Sequence, residues 1–479
     1  MTICGGLHVT KSSHYDFIVI GGGPAGQGAA EFATFAERRT LVIERNVLGG
    51  LVVTTGGAPT KTLREAALYL TGFRDRALYG LTAPADMALA VEHMRARTRQ
   101  VCTAIQDFTR SVFTQSGIEV AYGSARLGRN RTVLLTPREG DAKERILTAE
   151  RILLATGSRP SRPANIPFND EDIFDSEGLP KLQRVPKSAL VVGGGSIGCE
   201  FVSIFNAFGI PVTLVHNRER LLRNMDSEMS RLLCRVFESF GIRVVFGAGV
   251  RAVGRINKQL QVTLENGDVL CPDIALFAAG RTVNTDGLGL EETGIKLNSA
   301  GAVVVDECFQ TSVEGIYAAG DVIGPSLSSI SMEQGRVAAC HAFGLRFKKK
   351  MDPLPVSAVY SIPEVAGVGL TEDEAKKQGV DYEVGRCRFE TIPRGIISGH
   401  SEGMLKLVFH RNDRRLLGVH ILGDIAAELI GLGQAMIHTG GTIEVFNRLT
   451  FATPTYTMAY KFAAFDGLKR LAGESEPSP

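Results

Sequence analysis

The stretch YDFIVIGGGPAGQGAAEFATFAERRTLVIE, residues 15–44, decides the fold. Tyr15 to Ile20 is a short apolar run of strand type. Gly21-Gly22-Gly23-Pro24-Ala25-Gly26 follows at once, an alanine-rich helical stretch runs to about Arg38, and a second strand, Thr40 to Ile43, ends at Glu44. Strand, G-x-G-x-x-G, helix, strand and acid, in that order, predict a dinucleotide-binding turn. Gly21 permits the tight turn, Gly23 lets backbone N–H groups approach a pyrophosphate, and Gly26 allows the helix to pack on the strand. Pro24 and Ala25 lie at the helix N-terminus, whose partial positive charge favours phosphate. Glu44, 18 residues after Gly26, can accept hydrogen bonds from ribose hydroxyls.

The pattern returns 172 residues later. A strand at Ser188 to Val192 leads into Gly193-Gly194-Gly195-Ser196-Ile197-Gly198, then a helical stretch, Cys199 to Phe208, and a strand, Val212 to Val215. This copy ends at His216 rather than an acid, with Asn217, Arg218 and Arg220 just beyond. An acid there favours a free 2′-hydroxyl; neutral and cationic groups tolerate or favour a 2′-phosphate. Arg218 and Arg220 fit that role or that of solvated residues at a helix start. Each copy is closed by an apolar strand that stops at a glycine: RILLATG (151–157), ending Ala155-Thr156-Gly157, and DIALFAAG (273–280), ending at Gly280. Two copies imply two different dinucleotides; one can be a tightly held flavin and the other a diffusible nicotinamide.

Outside these units the sequence mainly excludes. A chain of 479 residues suggests about three domains. Apolar residues make up 44% and charged residues 22%, which is ordinary for a globular protein. With 53 cationic and 51 anionic side chains the net charge is +2, so no basic field exists to draw nucleic acid. No apolar run approaches the ~18 residues of a membrane span, and residues 1–14 lack the apolar core of a secretory signal. The eight cysteines show neither C-x-x-C nor zinc spacing. No metal site is therefore expected, and free thiols imply a reducing, cytoplasmic setting. Residues 83–116 look mostly helical. Lys348-Lys349-Lys350, followed by Pro353 and Pro355, marks a domain boundary. Beyond it, strand-like runs (Met404 to Phe409, Leu416 to Ile421) alternate with helical ones (Ala426 to His438, Thr457 to Leu471), and the polar tail 473–479 is expected to be disordered.

Taken together, the motifs resemble the two-dinucleotide-binding flavoproteins, the class I pyridine nucleotide-disulfide oxidoreductases. The resemblance runs from about Tyr15 to Leu471. It includes both glycine fingerprints, Ala155-Thr156-Gly157, Gly280-Arg281 with Asn284, Ile316-Tyr317-Ala318-Ala319-Gly320-Asp321, Tyr360-Ser361-Ile362-Pro363-Glu364 and Pro454-Thr455. It implies an α/β chain with two Rossmann-like domains and a C-terminal α+β dimerisation domain. FAD is expected on 1–155 with 281–350, NAD(P) on 156–280, and a homodimer interface on 351–472. The resemblance also places Gly50 in the flavin loop, Asp321 on the ribityl chain beside Gly320, Lys61 near flavin N5, and Glu200 as the partner of Lys61.

Two departures narrow the chemistry. The family loop reads G-G-T-C-x-N-x-G-C-x-P-S-K; here residues 49–61 read GGLVVTTGGAPTK, with Val52 and Gly57 at the cysteine positions. Thiol–disulfide exchange needs a thiolate, so this loop cannot perform it. The family histidine base and its glutamate are Thr453 and Met458, and a threonine hydroxyl does not titrate near neutral pH. What remains resembles the soluble, Si-specific transhydrogenase branch, although that branch usually keeps one loop cysteine and the final glutamate. The expected reaction is ping-pong hydride transfer, NADPH to flavin and flavin to NAD⁺, with Lys61 and Glu200 as catalytic residues. The alternatives are direct reduction of a quinone, dye or oxygen, and a catalytically degenerate flavin-binding subunit.

Overall fold

The computed structural model describes residues 13–72, 87–138, 143–178, 182 and 184–473. The expectations for residues 1–12, 83–86 and 474–479 fall outside these. The chain forms two compact units: Met1–Gly57 with Val101–Arg159 and Arg281–Met351, and Ala58–Gln100 with Pro160–Gly280 and Asp352–Pro479.

The first unit is built on a six-stranded sheet. His14–Ile20 lies between Thr40–Glu44 and Arg145–Leu154, parallel to both, and Ile316–Ala318 extends the sheet beyond Arg145–Leu154. Phe17, Ile18 and Val19 are fully buried, as a central parallel strand covered on both faces requires. The fingerprint helix, Pro24–Thr34, starts with proline at its first turn and ends four residues earlier than the sequence suggested. Phe35 closes it and Glu37 turns to φ 52°.

The second unit repeats this plan with five parallel strands, in the order Arg243–Phe246, Val212–His216, Ala189–Val192, Ile274–Phe277, Ile173–Asp175. The two turns match bond for bond. Gly21 N–H donates to the Ile43 carbonyl and Gly193 N–H to the Val215 carbonyl, each at 2.8 Å. Both glycines sit at positive φ, 110° and 116°, where a Cβ would meet the carbonyl oxygen of Ala155 at 2.2 Å or of Ala278 at 2.5 Å. Only glycine fits either position.

The same unit holds an antiparallel five-stranded sheet, in the order Ser357–Val359, Glu364–Gly369, Leu416–Gly423, Met404–His410, Tyr382–Arg388. Helices Ala426–His438 and Met458–Leu471 pack on it. Residues 58–100, placed by sequence with the flavin half, group with this unit because helix Ala58–Thr71 packs on helix Ser196–Ala207. Ala67 and the adjoining Leu63 and Leu68 join a core with Phe201, Val202 and Phe205. The helix expected at 83–116 spans Met87–Gln115.

A buried ion network ties the nucleotide half of this unit to the antiparallel sheet. Lys406, only 1% exposed, meets Asp226 at 3.1 Å, Glu228 at 2.9 Å and Glu372 at 2.5 Å, and Arg386 grips Glu228. Burial alone would raise the Asp226 carboxyl, but His420, Lys406 and the Met229 N–H outweigh it and hold it below 3.8. Burial opposes ionisation of Glu228 as well; Arg386 and Lys406 reverse the balance and hold it below 4.5. Burial likewise opposes the charge on Lys406, and Asp226, Glu372 and Glu228 raise it above 10.5. Depressed carboxylates stabilise the fold above their ordinary values and lose that contribution as pH falls through the native ones. The raised lysine stabilises below its ordinary value and loses its contribution as pH climbs through the native one. Lys406→Met leaves the buried Asp226 without its cation. It is expected to cost about 3–5 kcal/mol in urea denaturation at neutral pH and to flatten the acid-side loss of stability below about pH 4.

Candidate active site

The first unit gathers the expected flavin residues around one turn. Glu44 lies under it: one carboxylate oxygen accepts the Gly22 N–H at 2.7 Å and the other the Asn46 N–H at 2.6 Å. The acid expected to take ribose hydroxyls therefore also pins the turn. A Cβ on Gly50 would stand 3.1 Å from Gly23 Cα, so the loop carrying Val52 and Gly57 lies against the fingerprint. A Cβ on Gly320 would stand 3.0 Å from the Ala25 side chain, which brings the Gly320-Asp321 segment to the same place. Asp321 is held there: Ser158 donates its hydroxyl at 2.5 Å, Ser326 its N–H at 2.9 Å, and Arg281 stands 3.6 Å away. Arg281 in turn donates to the Ser158 hydroxyl at 2.7 Å. Thr156 and Asn284 exchange hydrogen bonds of 2.7 and 2.9 Å, fixing the end of the closing strand beside Ala155 and Gly157. Sequence reading missed Ser158, whose only signal was its place directly after Ala155-Thr156-Gly157.

In the second unit, Gly193 to Gly198 rebuild the turn, with Ser196 and Ile197 opening the helix and Gly280 ending the closing segment. A Cβ on Gly198 would stand 1.8 Å from the Gly193 carbonyl oxygen, the same close approach as Gly26 to Gly21. His216 takes the place of Glu44: its Nδ1 accepts the Gly194 N–H at 3.2 Å. Accepting there requires the neutral ring. Burial lowers the imidazole below its ordinary 6.5, and Arg218 adds to the effect. His216 thus does the structural work of the acid without bringing a negative charge. Arg218 lines an open pocket of about 320 Å³ with Glu219, Arg220 and Arg223, next to the exposed Asn217.

Lys61 and Glu200 meet as an ion pair of 2.9 Å, with Glu200 8% and Lys61 32% exposed. Glu200 sits on the fingerprint helix two residues past Gly198. Tyr360, noted in the sequence only as part of a family motif, completes the cluster. Its N–H donates to Glu200 at 3.1 Å, and its ring lies 4.9 Å from the Lys61 ammonium, a cation–π arrangement. Arg64, one helical turn beyond Lys61, fixes that segment by reaching the Ser361 carbonyl and pairing with Glu364 at 3.2 Å.

The positions of the family's sulfur chemistry are inert. A Cβ on Gly57 would meet Val52 Cα at 2.6 Å, so the two are adjacent across one short turn, and neither carries sulfur. Thr453 donates its hydroxyl to Met458 Sδ at 2.9 Å, a contact with no group that titrates near neutrality. Burial pushes the thiols of Cys199, Cys234, Cys340 and Cys387 upward, Cys234 and Cys387 to about 11. These four are poor thiolate donors. Among the described residues there is no cluster of His, Cys, Asp and Glu able to hold a metal, and no helix long and apolar enough to cross a membrane.

Both turns fit a dinucleotide. Among the described residues no side chain caps either fingerprint helix, which leaves first-turn N–H groups for a pyrophosphate. A Cβ on Gly195 would meet nothing within 4 Å, and one on Gly23 only Gly50 Cα at 4.0 Å, so each turn opens where the phosphates would lie.

Comparison with known proteins agrees. Residues 15–340 match the family described as pyridine nucleotide-disulphide oxidoreductase, and residues 356–464 match its dimerisation domain. A soluble pyridine nucleotide transhydrogenase of Mycobacterium bovis BCG is 39% identical over 95% of this chain and 98% of its own length. One from Pseudomonas entomophila is 36% identical over 96% and 99%. Among solved structures, LpdA from Mycobacterium tuberculosis superposes with a TM-score of 0.85 at 28% identity, covering 94% of this chain and 99% of that one. The HOCl-induced flavoprotein disulfide reductase RclA of Escherichia coli gives 0.83 at 26% identity over the same shares. The chain therefore belongs to the pyridine nucleotide-disulphide oxidoreductase family, as an FAD-dependent enzyme that uses nicotinamide nucleotides.

Proposed function

We propose that this enzyme moves a hydride from NADPH to NAD⁺ without a sulfur relay, both nucleotides using the second fingerprint in turn. The observation that carries the reading is the pairing of loss and retention. Val52 and Gly57 stand at the thiol positions, while the Lys61–Glu200 pair and its Tyr360 N–H contact are intact. The names of the two transhydrogenase relatives support it. Bound FAD supplies a ring that can accept a hydride from one nicotinamide and return it to another.

The chain's own residues then have defined tasks. The Gly193–Gly198 turn takes the pyrophosphate of either nucleotide. Neutral His216 neither repels a 2′-phosphate nor depends on a 2′-hydroxyl, and Arg218 attracts the phosphate when it is present. Lys61, oriented by Glu200 and Tyr360, supplies a fixed positive charge where negative charge develops. Lys61 and Glu200 are thus the catalytic pair, and the 351–472 region is the surface of a homodimer. Seven described cysteines are free thiols, in keeping with a cytoplasmic setting.

Anaerobic mixing of the holoenzyme with NADPH and thio-NAD⁺ is expected to form thio-NADH rapidly. Turnover that begins only when a quinone or dye is added would sink the transhydrogenase reading. Glu200→Ala, which removes the anchor of Lys61, is expected to slow flavin reduction by NADPH in stopped flow tenfold or more, an effect of about 1.4 kcal/mol on the barrier. An unchanged rate removes both residues from the mechanism.

A further inference from the structure

The pocket at Arg218 carries three guanidinium groups, yet one of them is already engaged. Arg220 donates one arm to Asp373 at 3.2 Å and the other to the Arg223 carbonyl at 2.8 Å. Arg220 is 32% exposed, whereas Arg218 and Arg223 are exposed at the pocket. Asp373 does not belong to the nucleotide fold. It lies on helix Glu372–Lys377, beside the antiparallel sheet and far along the chain.

The contact is no accident of a loose side chain. A capping box of Thr371 and Glu374 fixes the start of that helix. Its neighbour Glu372 is clamped by the buried Lys406 at 2.5 Å, and the Glu372 N–H reaches Asp226 at 3.4 Å. Asp226 ends the pocket loop and caps the next helix by accepting the Glu228 and Met229 N–H groups. At its other end the loop is tied to the fingerprint, through the Leu222 N–H on the Gly194 carbonyl at 2.9 Å. The Lys406 network therefore sets where Asp373 stands relative to Arg220.

We propose that Asp373 is a specificity-determining residue of the nicotinamide site. By holding Arg220 away from the phosphate position and cancelling its charge, it leaves the 2′-phosphate to Arg218 and Arg223. The inference rests on the reading that this pocket receives a 2′-phosphate. Physically it answers a demand particular to that reading. A pocket with three available guanidinium groups would hold NADPH and NADP⁺ so firmly that NAD⁺ could not compete. Beside Glu219, which lines the pocket itself, the Asp373 carboxylate draws off Arg220 and so weakens phosphate binding without touching the parts that both nucleotides share.

The test compares 2′,5′-ADP with 5′-AMP by calorimetry on the holoenzyme, two probes that differ only in the phosphate. Asp373→Asn is expected to tighten 2′,5′-ADP roughly threefold, the size typical of a half-exposed ion pair, and to leave 5′-AMP unchanged. Asp373→Glu, which keeps the charge, should restore the wild-type ratio. In steady state, Asp373→Asn should lower KM for NADPH without altering that for NADH. A wild-type preference for 2′,5′-ADP that Asp373→Asn leaves untouched overturns the role of Asp373 while the phosphate pocket stands. Equal wild-type affinity for the two probes overturns the pocket itself and this inference with it.

Discussion

Two helices that begin without a side-chain cap set the terms for this protein. Pro24–Thr34 and Ser196–Ala207 each follow a strand through a glycine turn, and among the described residues no side chain caps either one. A helix start in that state favours an anion. The rest of both units maintains the turn that makes this possible. Parallel strands fix its ends, Gly21 and Gly193 pass beneath a neighbouring carbonyl, and an acceptor from the next strand pins the middle. That acceptor is Glu44 in one copy and His216 in the other. The same geometry is held by a charged group where the flavin is expected and by a neutral one where a nicotinamide nucleotide is expected. Nucleotide choice can thus change without disturbing the turn.

The chemistry follows from what the fold keeps and what it has given up. The family arrangement brings sulfur, flavin and nicotinamide into one sequence of transfers. Here the sulfur positions are Val52 and Gly57, and the base that would manage thiol protons is a threonine bonded to Met458. The remaining described thiols whose titration is resolved are shifted upward by burial, away from thiolate reactivity. Against this, Lys61 keeps a carboxylate partner, an aromatic face and a rigid helix. A charge so held keeps its position and orientation.

The second unit joins a nucleotide fold to an antiparallel sheet through buried ions rather than apolar contact alone. Ion pairs in such a setting add little net stability, but they are demanding about position. Lys406 gathers carboxylates from the end of the pocket loop and from a helix beside the sheet, so those elements hold a defined register. Arg220 and Asp373 meet at the edge of that arrangement.

How much of this was legible in advance differs by kind of feature. The sequence by itself determined the duplicated strand–turn–helix, because glycine spacing and apolar runs are local and each carries its own reason. It also determined that residues 52 and 57 carry no thiol, since valine and glycine have no sulfur in any conformation, and through the family resemblance it marked Lys61 and Glu200 as partners. Only the tertiary structure decided the groupings across distance. Helix Ala58–Thr71 leaves the flavin unit because its apolar face finds Phe201 and Phe205. Tyr360 reaches Glu200 through a backbone N–H, which no side-chain pattern announces. Ser158 links Arg281 to Asp321, and Asp373 pairs with Arg220 across 153 residues. Such contacts are set by how separately folded segments pack, and a one-dimensional pattern of residue types does not encode which polar groups will be brought within hydrogen-bonding distance of each other.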